Sequence, residues 1–277
     1  MVKVIATDLD GTLLKPRKIF AIVEKENKNF VREFYGDTVI VSGRDPKFCA
    51  KVCNCLKINH NFIALNGAVI VKEGTIIYRQ SMKKSVLNSL LEFLEKYYTK
   101  FEFLIFDKYD KITCFSPINI LKIKFKYFKK RLLNGRLNVK IKANNKKTKK
   151  LLSDNTPLLK ALIYNQDNLE DMYYMLTKEF GDHFSFFNNG HSIEISPIGV
   201  SKGSALKYLI DTTAVKSEEV FVVGDDANDI SMFEMFDNSF VMNHAKDNVK
   251  IKAKHKINKF SELINYTRLN DNFKEES

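Results

Sequence analysis

The chain has 277 residues, 44% hydrophobic and 28% charged, with a formal net charge of +12; that is an ordinary globular composition, long enough for one large or two smaller domains. Its longest apolar runs, such as VFVV at 220–223, fall far short of the roughly 20 residues of a membrane helix, and four cysteines do not make a disulfide scaffold. With no leader pattern ahead of the first strand-like run, a reduced, cytoplasmic protein without a membrane partner is expected.

In chain order, apolar runs predict strands over 2–8, 37–43 and 62–71, with helices over 27–36 and 46–57 between and after them. Towards the end, strands are predicted over 191–196, 219–225 and 239–243, with helices over 201–213 and 229–237. Continuous Val/Ile runs alternating with helices predict an α/β fold: a doubly wound, Rossmann-like, mainly parallel sheet with helices on both faces. The middle of the chain reads differently. Helical spacing over 85–98 and 168–180, with strand-like FEFLIFD, KITCF and LLKALIY around it, predicts an inserted α/β domain. The expected division is a core of 1–81 and 190–277 and an insert of 82–189.

Residues 4–14, VIATDLDGTLL, set Asp8 and Asp10 two apart where an apolar run stops. Extended backbone turns alternate residues to opposite sides, so both aspartates can face one way while Leu9 faces the other. Carboxylates that close repel, and one keeps its proton unless a cation sits beside them. Taken alone, the pattern also fits a strand-end turn. Gly11 lets the chain bend where a bound group must approach the backbone.

A second acidic group, Asp225, Asp226 and Asp229 with Asn228 beside it, follows another apolar run in VVGDDANDISM. Helix capping alone could place Asn228 or Asp229 there, but so many carboxylates at the mouth of an apolar sheet cost stability unless a cation offsets them. Hard oxygen ligands of this kind suit Mg²⁺. Ser42 in VIVSGRD and Lys202 in GVSKGSAL add what a phosphate needs: a hydroxyl with N–H groups at a turn, and a point positive charge. Asp8, Ser42 and Asp225 each end a predicted strand, and the three should meet at the carboxyl edge of the sheet, where such folds bind ligands.

The order D-L-D-G-T, S-G-R, a separate lysine, then G-D-x-x-N-D resembles the haloacid dehalogenase (HAD) superfamily, and within it the Cof-type small-molecule phosphatases with a type IIB cap. ALNGAVI (64–70), TPLLKALI (156–163) and IEISPIGVSKGSAL (193–206) extend the likeness. The resemblance implies that Asp8 is the nucleophile, forming an aspartyl-phosphate, and that Asp10 is the general acid and then the base. It implies a Mg²⁺ site made by Asp8, Asp10 through its backbone carbonyl, and Asp225, with Asp229 supporting. It gives Ser42, Lys202 and Asn228, with the backbone around Leu9 and Gly43, to the phosphate. It makes the insert a cap that selects the leaving group, and the substrate a small phosphorylated metabolite, sugar phosphates being favoured.

A sugar phosphomutase is the alternative enzyme, since the same nucleophile can return phosphate to a sugar. The charge raises a third reading. Fourteen Lys and Arg lie between 111 and 153 with no Asp or Glu among them, so the other residues together carry −2. The run at 122–150 reads foremost as a solvated surface, then as a means of steering anionic substrates. Nucleic acid, for which Phe125, Tyr127 and Phe128 would be interleaved aromatics, is the disfavoured partner. Cys49, Cys53, Cys55 and His60 do not have the spacing of a closed zinc site, and His183, His191 and His244 receive no role. Oligomeric state is left open.

Overall fold

The structure, a computed structural model, describes residues 1–16, 21–107, 112–117, 121–126, 141–165 and 168–272. In chain order its strands are β1 (Val4–Thr7), β2 (Leu14–Pro16), β3 (Ala21–Val23), β4 (Asp37–Val41), β5 (Phe62–Ala64), β6 (Val69–Lys72), β7 (Thr75–Arg79), β8 (Phe101–Asp107) and β9 (Ile112–Phe115). They continue with β10 (Ile141–Ala143), β11 (Leu158–Asn165), β12 (Phe184–Asn188), β13 (Ile193–Pro197), β14 (Val220–Gly224), β15 (Asn238–Met242) and β16 (His255–Ile257). Contacts divide the chain into two units, Met1–Tyr78 with Ser201–Ser277, and Arg79–Val200.

The first unit is built on an eight-stranded sheet in the order β16-β15-β14-β1-β4-β5-β6-β7. Pairings from β16 through β5 are parallel. Every residue of β1 and β14 is buried, as a strand covered on both faces demands, and this explains their unbroken apolar runs. Ala6, Val39, Val41, Ile63, Val222 and Val241 form a core with Leu206, Leu209, Met232 and Phe233 of the covering helices. The helix Pro46–Leu56 shows how the local code works. Asp45 caps it by accepting the N–H of Phe48, Pro46 occupies its first turn, and Cys49, Val52, Cys53 and Leu56 form the buried stripe. Those two thiols are therefore core residues, and burial pushes Cys53 up to about 12.

One predicted strand is two. The apolar stretch 62–71 breaks at Leu65–Gly67, and β6 returns antiparallel to β5, Phe62 opposite Val71. Asn66-Gly67 is the turn signal inside the run: Leu65, Asn66 and Gly67 all have positive φ, 52, 58 and 110°, a conformation that asparagine and glycine tolerate best.

The second unit has a six-stranded sheet, β10-β9-β8-β11-β13-β12, with helices Lys84–Tyr97, Asn145–Ser153 and Leu169–Phe180. Phe101, Phe103 and Ile105 alternate along β8 and pack with Leu87, Leu90, Leu94, Met172 and Leu176, the period of two that a sheet face requires. Here the expected boundary at 190 moves to 200. Strand β13 does not extend the parallel core sheet; it pairs antiparallel with β11 and β12, Ala161 opposite Ile195 and Phe186 opposite Ile195. Its pattern, Ile193 and Ile195 buried with Glu194 less so, is the alternation of an antiparallel strand. Of the basic run, 127–140 lies outside the described residues, and with it Tyr127 and Phe128. Among the described residues no helix is long and apolar enough to cross a membrane.

Candidate active site

Strands β14, β1 and β4 are neighbours in level register: Thr7 lies opposite Val223 on one side and Ile40 on the other. Asp8, Ser42 and Asp225 follow these strands, so the three chain segments deliver them to one edge of the sheet. The N–H of Asp8 still bonds the carbonyl of Val223 at 2.9 Å, which carries the register one residue past β1 and fixes where its side chain starts.

Lys202 reaches this edge from the first turn of the helix Lys202–Asp211. Ser201 caps that helix, exchanging bonds with Ser204, and the lysine side chain turns inward, 1% exposed. Its Nζ donates to Asp8 Oδ1 at 2.6 Å and to Asp229 Oδ1 at 2.7 Å. Burial opposes its charge, but the two carboxylates outweigh burial and hold the ammonium charged. Asp8 is pushed well above the usual carboxylate range, first by burial and then by the charges of Asp229 and Asp225, with Lys202 offsetting only part. One ammonium faces three carboxylates.

Asp229 is fully buried, and its second oxygen accepts the N–H groups of Asp225 and Asp226 at 2.9 and 3.0 Å. It thereby fixes both the lysine and the backbone that carries Asp225. The Asp225 carboxylate is held in turn by Thr12, whose hydroxyl donates to Oδ1 at 2.6 Å. Burial raises it to about 6, with the charge of Asp229 adding to the effect. Gly11 is explained here by the protein's own side chain: with φ +92°, a Cβ on it would fall 2.2 Å from Asp225 Oδ2. The bare glycine lets that carboxylate approach.

Asp10 behaves differently from expectation. The extended backbone ends at Thr7, and residues 9–13 form a turn, so the period of two is not what places Asp10. Its exposed carboxylate instead forms a two-pronged ion pair with Arg44, both contacts 2.6 Å. Ser42 is buried at the end of β4, its Oγ accepting the N–H of Arg44, with Gly43 between them. Asn228 donates to Asn66 at 3.2 Å, while its own Oδ1 is buried without a hydrogen-bond partner among the described residues. Leu9 is fully buried in the turn. Thr12, Arg44, Asn66 and His244, whose Nε2 is 3.4 Å from Asp225 Oδ2, are site residues that were given no role from the sequence.

One oxygen from each of Asp8, Asp225 and Asp229 lies within 4.8 Å of the others. The set fits a small hard cation on two grounds: the donors are carboxylate oxygens, and the ammonium of Lys202 bonds Asp8 and Asp229 while a third carboxylate, Asp225, stands close beside them, an excess of acidic groups in a buried place. Asp8 and Asp225 are the better placed to hold it, because Asp229 already serves Lys202 and two N–H groups.

Residues 5–262 match the haloacid dehalogenase-like hydrolase family. The chain belongs to that family, and is an enzyme of its phosphatase kind. A Mycoplasma capricolum protein is 27% identical over 274 residues, covering 95% of this chain and 99% of that one. The phosphatase YwpJ of Bacillus subtilis is 26% identical over 276 residues, covering 90% and 92%. Among solved structures, the HAD subclass IIB sugar phosphatase BT4131 superposes with a TM-score of 0.78 at 18% identity, covering 96% of this chain and 99% of that one. The fold is thus that of HAD hydrolases carrying an inserted domain.

Proposed function

We propose that the protein hydrolyses small phosphorylated metabolites, sugar phosphates above all, with Mg²⁺ and through an aspartyl-phosphate on Asp8. The observation that carries this reading is the juxtaposition of Asp8, Asp225 and Lys202 at one sheet edge, a carboxylate nucleophile set among groups that can hold an anion and a cation together. The sugar preference rests on likeness to a sugar phosphatase and is the finer part of the proposal.

Asp8 attacks phosphorus, and the bond to the leaving oxygen breaks as the new P–O bond forms. Asp10 supplies the proton to the leaving alkoxide from one carboxyl oxygen, while Arg44 keeps hold of the other and sets its place. A water then attacks the phosphorylated Asp8, Asp10 takes its proton, and phosphate departs with Asp8 restored. Lys202 neutralises the phosphoryl oxygens, and Ser42, Asn228 and the backbone N–H groups near Leu9 and Gly43 orient them. A cation held by Asp8, the carbonyl of Asp10 and Asp225, with Asp229 behind them, supplies the charge that lets two anions approach.

The test is a panel of phosphomonoesters assayed for inorganic phosphate with Mg²⁺ and with a chelator. Hydrolysis that requires Mg²⁺ and disappears in Asp8→Asn is expected. Full activity in Asp8→Asn, or none on any ester, refutes the proposal.

A further inference from the structure

Lys202 holds Asp8 and Asp229, whereas Asp225 is met by side chains from two distant turns. Thr12, in the turn after β1, donates to Oδ1 at 2.6 Å. His244, in the turn after β15, brings Nε2 to 3.4 Å from Oδ2. The imidazole comes from the far side of β14, since β15 lies next to β14 and β14 next to β1. The two side chains therefore approach the carboxylate from its two ends.

We infer that His244 is a positioning residue for the cation site: its Nε2–H donates to Asp225 Oδ2 and fixes the plane in which that carboxylate meets a divalent ion. The inference rests on Asp225 being a ligand, as proposed above. A carboxylate rotates about its last bond unless both oxygens are engaged, and a rotating ligand must lose that freedom when the ion binds. Partners of this outer kind change metal affinity by roughly 10–100-fold. His244 is half-exposed, with 56% of its side chain open, and at 3.4 Å the contact is longer than an ordinary N–H···O bond and must shorten to make one, so the lower end of that range applies. Exposure also means that the imidazole contributes little to the core, and its removal should spare the fold.

Titration calorimetry of the full chain with MgCl₂ alone, at one fixed pH, tests this with no dependence on turnover. His244→Ala is expected to bind Mg²⁺ about 10-fold more weakly than the unaltered protein. His244→Gln, whose amide nitrogen can stand where Nε2 stood, should recover most of that loss. The melting temperature in chelator should be the same for all three, which a purely structural role would not predict. Wild-type affinity in His244→Ala, or equal weakness in Ala and Gln, overturns the inference. Asp225→Asn is the separate control. If it binds Mg²⁺ as the unaltered protein does, the assignment of Asp225 as ligand fails, whatever His244 does.

Discussion

Lys202 Nζ sits 2.6 Å from Asp8 Oδ1, joining residues 194 positions apart, with Asp229 Oδ1 at 2.7 Å on its other side. The lysine is 1% exposed and the two carboxylate side chains 8% and 0%. Removing one partner of a buried pair leaves the other uncompensated, at about 3–5 kcal/mol. Lys202→Met is therefore expected to be strongly destabilised and inactive. Because the orphaned carboxylates can relieve the penalty by taking up protons, its loss of stability should be larger at pH 8 than at pH 5.5. Urea unfolding in chelator at the two pH values checks this; an equal loss at both would show that the lysine acts by packing alone.

Asp225 carries its own pH signature. Its carboxyl is raised from 3.8 to about 6 in the folded chain, so between those values the folded state binds more protons than the unfolded state. Stability then falls as pH rises through this window, by roughly 1.4 kcal/mol for each pH unit crossed. Asp225→Asn lacks the titration. In chelator, the variant should gain on the unaltered protein as pH goes from 4 to 6.5, read as the difference in urea midpoints. Mg²⁺ should reverse the ranking at pH 7, since an ion that binds only the folded carboxylate form stabilises it by mass action. A constant difference across the window would mean that burial does not hold Asp225 protonated.

The legible part of this molecule is the part written in continuous runs. Asp8, Ser42 and Asp225 each follow a short apolar stretch, and such stretches alternating with helices read as parallel strands buried on both faces. Their meeting at one edge followed from that alone. Strand partners were less legible: nothing within residues 193–197 says that they join β11 and β12, because pairing is set by chain topology, and only the alternation around Glu194 hinted at an antiparallel neighbour. Asn66-Gly67 is a turn pair inside a stretch so apolar that the stretch reads as a single strand. Arg44 lay in the VIVSGRD motif without a partner, since its ion pair with Asp10 spans 34 residues. His244 had no local signal at all. Its meaning comes from β15 lying beside β14, which no spacing records.

Arg44 and Asp10 give a prediction of the opposite kind to Lys202. Both side chains are about two-fifths exposed, and exposed pairs contribute about 0–1 kcal/mol. The melting temperature of Arg44→Lys should therefore scarcely move. Catalysis should suffer, because lysine keeps the charge but loses the planar fork that holds both oxygens of Asp10. A misplaced general acid forfeits part of the roughly 10²–10⁴-fold that proton transfer contributes. We expect kcat to fall about 10-fold or more with KM little changed, measured on whichever phosphomonoester proves best. A change confined to KM would mean that Arg44 serves substrate binding and not the placement of Asp10.

Gly11 offers the sharpest steric test of the acidic edge. Alanine there must adopt φ +92°, and its Cβ would lie 2.2 Å from Asp225 Oδ2 and 2.8 Å from Cγ, distances that force the carboxylate to move. The backbone conformation alone costs about 1–3 kcal/mol. Displacement of Asp225 adds loss of the Thr12 bond, and with it the cation site. Thr12→Val isolates that second component: it removes the 2.6 Å hydroxyl contact without touching the turn, at about 1 kcal/mol. Gly11→Ala should thus be less stable than Thr12→Val in chelator, and should show no calorimetric Mg²⁺ binding where Thr12→Val retains a weakened isotherm. Mg²⁺ affinity in Gly11→Ala equal to that of the unaltered chain would place the cation somewhere other than beside Asp225.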